Sequence, residues 1–237
     1  MSERTWEKYG AATGIAFGLL LVVAIFVAPP PPHIDASGQK ILTYFTDHRR
    51  AVEVAGVFGV FSALAAVLFV AHLRHIFDRV ENGIEGLSTV IYAAGIVTVV
   101  AASLSGMLQT TLAFTTAQPG DLIDGGVARA LYDLTYVGNG VTFMFAALFL
   151  GAIAVGMVRG EVATAGLGWF AAIVAAGCLV SGVALLTVSS YSATWSVIPL
   201  ASILGMAAWS IVAGATMIAR PEAEAVATHR SLIAASH

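Results

Sequence analysis

Asp133, Tyr136, Asn139 and Gly140 recur at intervals of three and four, which places them on one face of a helix. Thr98, Ser105 and Gln109 share a face in the same way on a preceding apolar segment. A carboxylate, a phenol, two amides and a hydroxyl can hold a ligand by hydrogen bonds. Inside lipid such groups must turn toward a neighbour or a cavity, because acyl chains offer no partner. The expected site therefore comprises Ser105, Gln109, Asp133, Tyr136 and Asn139, in an outward-facing pocket between the third and fourth spans, with Arg49, Arg50, Glu53 and Tyr191 near it. Two readings compete. In one these groups satisfy each other, Asp133 pairing with an arginine or sitting at a helix N-terminus favoured by the macrodipole. In the other they hold a ligand.

A second cluster, His72-Leu73-Arg74-His75, leads into Asp78, Arg79 and Glu81. His72 and His75 share a face, but two histidines do not make a metal site without further ligands at supporting spacing. His72, Arg74 and His75 are expected as an interfacial belt meeting lipid headgroups, and no metal is assigned. Other chemistries lack their residues. The lysines are Lys8 and Lys40, both outside the apolar segments, so a retinal Schiff base has no anchor. No histidines face each other from two spans as bis-histidine haem requires, and Ser105-Gly106 has no histidine base at its depth. The single Cys178 lies in an apolar run and offers no disulfide. No cofactor is expected, and nothing supports catalysis.

The elements that must carry these residues follow from composition. Of 237 residues 58% are hydrophobic and 11% charged, with a net charge of -3. That is about half the charge of an ordinary soluble domain, and there is no basic field for nucleic acid. A crossing takes roughly 20 apolar residues. Uncharged intervals run from Lys8 to Asp35, Glu53 to Arg74, Glu85 to Asp121 and Asp133 to Arg159, each sufficient for one helix. The interval from Glu161 to Arg220 is long enough for two, broken by the polar stretch from Ser189 to Trp195. The expected fold is all-α, a polytopic six-helix transmembrane bundle. Its spans lie near 9–28, 51–76, 87–115, 134–158, 166–188 and 196–219, with outer loops at 29–50 and 116–133 and a tail at 220–237. The whole chain is read as one domain.

Phe26-Val27-Ala28 before Pro29 is a poor cleavage site, so the first span is read as a retained anchor. Four prolines, Pro29 to Pro32, then stop the helix, since proline has no amide to donate. With the N-terminus inside, Arg4, Lys8, Arg74, Arg79, Arg159, Arg220 and Arg230 fall on one side and only Lys40, Arg49, Arg50 and Arg129 on the other. The excess favours a plasma-membrane protein with both termini cytoplasmic. Gly10, Gly14 and Gly18 align on one helix face and predict a close contact, with a neighbouring span or a second copy.

Ile41-Leu42-Thr43-Tyr44-Phe45-Thr46-Asp47-His48-Arg49-Arg50, followed by a span closing on His72-Leu73-Arg74, resembles a pattern in small integral membrane proteins of actinobacterial type whose function is unknown. Ala130-Leu131-Tyr132-Asp133 and Gly166-Leu167-Gly168-Trp169 are similar to it as well. The resemblance implies a six-span fold and brings no substrate, cofactor or catalytic residue. Two functional classes remain open. One is a non-catalytic binding or accessory protein, a subunit of a larger assembly or homo-oligomer, or a binder of a lipid-like molecule. The other is a small transporter or channel relying on Asp133 and Glu53. The lipid bilayer is a partner in either case.

Overall fold

The computed structural model describes residues 3–79, 86–116, 123–159, 165–187 and 193–219. They form seven helices and, among the described residues, no strand: α1 (Glu3–Val27), α2 (Gly38–Asp47), α3 (Arg49–Arg79), α4 (Leu87–Thr115), α5 (Gly125–Arg159), α6 (Ala165–Thr187) and α7 (Ala193–Ala219). All except α2 are long and apolar enough to cross a membrane. The protein is an all-α integral membrane bundle of six spans.

Each spanning helix packs on the one before and after it in the chain, and α7 returns to α1, so the six close into a ring. Neighbouring spans run antiparallel: Gly10 and Gly14 of α1 meet His72 and Phe69 of α3 in reverse order, and Ala11 and Gly18 meet Gly214 and Ala207 of α7 likewise. Small residues bring the backbones together. A Cβ on Gly10 would lie 2.4 Å from the His72 ring and one on Gly14 would lie 2.6 Å from Phe69, both on α3, whereas one on Gly18 would meet Ala207 O of α7 at 2.6 Å. The glycine face of α1 is thus spent on its two neighbours within the chain. Between α5 and α6 the backbones approach at Gly140 and Gly182, where a Cβ on Gly182 would lie 3.0 Å from Gly140 O.

Polar side chains stitch the ring where lipid cannot compete. Ser62 donates to Phe17 O (3.2 Å), Ser181 and Ser202 are hydrogen-bonded at 3.0 Å, and Trp209 Nε1 donates to Leu167 O (3.3 Å). The ring axis is filled by Phe69, Phe149, Met206 and Trp209, leaving a void of about 20 Å³ with an apolar lining, roughly the room one water needs. Outward faces are oily: Phe61, Leu64, Leu68, Leu104, Trp169 and Ile173 are exposed, as expected where acyl chains are the solvent.

One end of the bundle carries a cap. α2 lies across α3, α4 and α5 there. It begins at Ser37, whose side chain accepts from the Lys40 amide (3.4 Å), and ends at His48. Ile41 and Phe45, one turn apart, bury its apolar side against Leu112, Ala113, Ala128 and Tyr132.

The expected span boundaries agree with the helices except at three places: α1 starts at Glu3, six residues ahead of the expected 9, and the other two lie in the cap. The outer loop 29–50 holds the helix α2, and α5 starts at Gly125, about two turns ahead of the expected 134. Asp124 caps α5, its Oδ1 accepting from the Val127 amide at 2.8 Å. The helix continues through charged residues because Arg129 and Asp133 neutralise each other one turn apart.

Candidate functional site

Proline has no N–H, so the segment Pro29 to Pro32 presents carbonyls that ladder bonding within the segment cannot satisfy. Three phenols serve them. Tyr44 of α2 donates to Pro29 O (2.6 Å), while Tyr132 and Tyr136 of α5 both donate to Pro32 O. Tyr132 and Pro32 are buried, and Tyr132 stacks edge-on against Phe45 and Tyr136. Burial also pushes the Tyr44 hydroxyl above its ordinary pKa of 10.0, keeping it a donor. Beyond the prolines, Arg129 Nη1 donates to Ala36 O (2.6 Å). At Gly38 a Cβ would sit 1.9 Å from Gly125 O, so only glycine lets α2 lie against the start of α5. The result is a strap running from Pro29 to Ala36, tied down by residues of α2 and α5.

Beside this strap a cleft of about 230 Å³ opens between α5 and α6. One wall is polar, made by Arg129, Asp133 and Tyr136. The other is apolar, made by Val137, Leu185 and Leu186, and Ile34 of the strap and Thr187 complete it. Arg129 Nε lies 2.9 Å from Asp133 Oδ1 and 3.0 Å from Oδ2. Their side chains are 32% and 47% exposed, so both present a free edge to the cleft. Arg129 Nη2 bonds no described residue. Thr187 turns its hydroxyl back to Val183 O (2.7 Å).

The five residues expected to form one pocket are divided by this arrangement. Asp133 and Tyr136 line the cleft. Ser105 is buried where α4 meets α5: its hydroxyl donates to Ala101 O (3.1 Å), and a Cβ on Gly138 would lie 2.4 Å from its Oγ. Gln109 and Asn139 are half-buried, and neither side chain hydrogen-bonds a described residue. The faces of α4 and α5 do meet, at Ser105 and Gly138, but the open volume lies on the other side of α5, toward α6. Asp133 sits two turns inside α5, so the macrodipole does not account for it; Arg129 does. Of the expected neighbours, Glu53 pairs with Arg49 on its own helix (2.7 Å), Arg50 is exposed, and Tyr191 lies outside the described residues. Arg129, Ile34 and the α6 end at Leu185–Thr187 were not anticipated. The spacing Arg129-x-x-x-Asp133 was the available signal for the first of these.

At the opposite end the belt residues also separate. Arg74 and His75 are exposed, with the Arg74 guanidinium 4.9 Å from the centre of the Tyr92 ring. His72 is instead buried against Gly10, its Nδ1 without a hydrogen bond among the described residues, so it contacts α1 where contact with headgroups was expected. Gly10 leaves a hollow that an imidazole fills. Glu7 of α1 and Arg79 of α3 close this end with an ion pair at 3.1 Å, and Ser88 donates to Asp78 (3.3 Å). Among the described residues no three His, Cys, Asp or Glu side chains gather as a metal site would need; His229 lies outside them.

The cleft thus offers hydrogen-bond donors, acceptors and an apolar wall within one opening. Comparison of the chain with protein-family models, curated proteins and solved structures finds no match.

Proposed function

We propose that this membrane protein is a non-catalytic binder of an amphipathic, lipid-like molecule, held in the cleft between α5, α6 and the strap. The observation that carries this reading is the pairing, in one opening of about 230 Å³, of an exposed Arg129–Asp133 edge with the apolar surface of Val137, Leu185 and Leu186. Small-molecule sites have this make-up: mostly apolar walls with a few placed polar groups. The transport reading needs Asp133 and Glu53 as free carboxylates, and each is engaged by an arginine one turn away on its own helix. The aromatic packing along the ring axis also favours binding at the side of the bundle over passage through it.

In this reading the cap faces outward. The cap end carries Lys40, Arg49, Arg50 and Arg129, and the opposite end, read as cytoplasmic, carries Lys8, Arg74, Arg79 and Arg159. A lipid-like molecule reaches the cleft from the outer leaflet of the plasma membrane.

Filling the cleft tests the proposal. Val137 is 47% exposed, so Val137→Trp adds bulk toward open volume without straining the core. Protein purified in mild detergent and extracted for mass spectrometry is expected to carry a bound amphiphile in the wild type and roughly tenfold less in the variant. Equal amounts in both would refute the reading.

A further inference from the structure

The cleft's charge pattern narrows the class of ligand, and the narrower claim rests on the binding reading above. We propose that the occupant is a neutral phospholipid whose headgroup pairs a phosphate with a primary ammonium, the phosphate on Arg129 and the ammonium on Asp133.

A guanidinium has five N–H donors in a fixed fork. Arg129 spends Nε on Asp133 and one Nη1 hydrogen on Ala36 O, which pins the fork in place and leaves the Nη2 edge unpaired among the described residues. The two N–H groups of Nη2 are charge-assisted donors that suit a phosphate oxygen. The Asp133 carboxylate, 47% exposed, keeps lone pairs on the side away from Arg129. Donor edge and acceptor edge therefore lie side by side and sum to no net charge. A phosphate joined to an ammonium by a short ethylene linker meets both and leaves neither ion uncompensated. An anionic headgroup satisfies Arg129 but sets negative charge beside Asp133. A quaternary ammonium has no N–H to donate and takes an aromatic cage, and the cleft has a single ring, Tyr136.

Size gives the same answer. A volume of about 230 Å³ is more than ten times the room a single water needs, which is space for a headgroup and the first methylenes. The acyl chains must leave along Val137 and Leu186, both exposed on the outer surface of the bundle. The ligand is then a bilayer lipid gripped by its head.

The test is native mass spectrometry after incubation with an equimolar mixture of phosphatidylethanolamine, phosphatidylcholine and phosphatidylglycerol of identical chains. The wild type is expected to retain the ethanolamine lipid about tenfold over the other two, as one charge-assisted hydrogen bond allows. Asp133→Asn keeps the shape and should bring the three within about twofold, and Val137→Trp should remove all of them. Free phosphoethanolamine should leave the bound lipid in place; its displacing the lipid would assign the cleft to a soluble ligand and overturn the proposal. Equal or better retention of the glycerol or choline lipid by the wild type would overturn it too, as would an undiminished preference in Asp133→Asn. In those two cases, loss of lipid in Val137→Trp leaves the binding reading standing. Lipid retained in full by Val137→Trp defeats both.

Discussion

Single hydroxyls decide how firmly the strap is held. Tyr132→Phe removes the closer of the two donors on the buried Pro32 carbonyl and leaves it the longer Tyr136 bond at 3.4 Å, so the expected cost lies toward the lower end of the about 1–3 kcal/mol of an unsatisfied buried acceptor. Tyr44→Phe frees the exposed Pro29 carbonyl, which water can serve, and should cost less than about 1 kcal/mol. Thermal unfolding in detergent measures both, and equal losses would mean that the strap is not anchored at Pro32. Tyr44 also sets a pH dependence. Its raised pKa means the folded state favours the neutral phenol, so its contribution is complete below the ordinary value of 10.0 and declines as pH rises through the raised value. Tyr44→Phe should abolish that decline. At this scale Asp133 and Tyr136 were readable from the sequence because helical spacing gathers polar residues on one face. Ser105 shared the signature for a different reason: it fills the space beside Gly138, and spacing cannot tell a ligand contact from a packing contact.

Charge served as a ruler for helix ends, and it worked best at α4 and α6. α4 occupies Leu87–Thr115 and α6 Ala165–Thr187, close to the uncharged intervals. It failed at α5, where Arg129 and Asp133 lie within the helix as a pair, and at α2, whose short amphipathic pattern of Ile41 and Phe45 is hidden between prolines and arginines. Both of these misreadings fall in the cap. The junction of α2 with α5 is the element-scale weak point. Gly38→Ala drives a methyl into Gly125 O, and overpacking of this kind costs about 1–3 kcal/mol. Limited trypsin digestion should then cut at Lys40 well before it does in the wild type. An unchanged digestion rate would show that α2 tolerates displacement.

The closed ring joins each span to its chain neighbours and α7 to α1, which leaves the outer faces to lipid and concentrates polar groups at the two ends. Six spans were legible from apolar length alone. Ring closure was not, because it depends on which glycine meets which helix: Gly10 and Gly14 face α3, and Gly18 faces α7. The whole molecule also has a direction. Cysteine labelling with a membrane-impermeant reagent is expected to modify Lys40→Cys in intact cells and to spare Lys8→Cys; the reverse pattern would turn the cap toward the cytoplasm and remove the cleft from the outer leaflet.

Lipid binding in the cleft beside the strap requires that a lipid occupy it in the native protein. An experimental density map of the wild-type protein in native-lipid nanodiscs tests it most directly. Elongated non-protein density running from Arg129 and Asp133 along Val137 and Leu186 is the expected result. A well-resolved cleft holding only water, or closed by Ile34 packed onto Leu186, would contradict it.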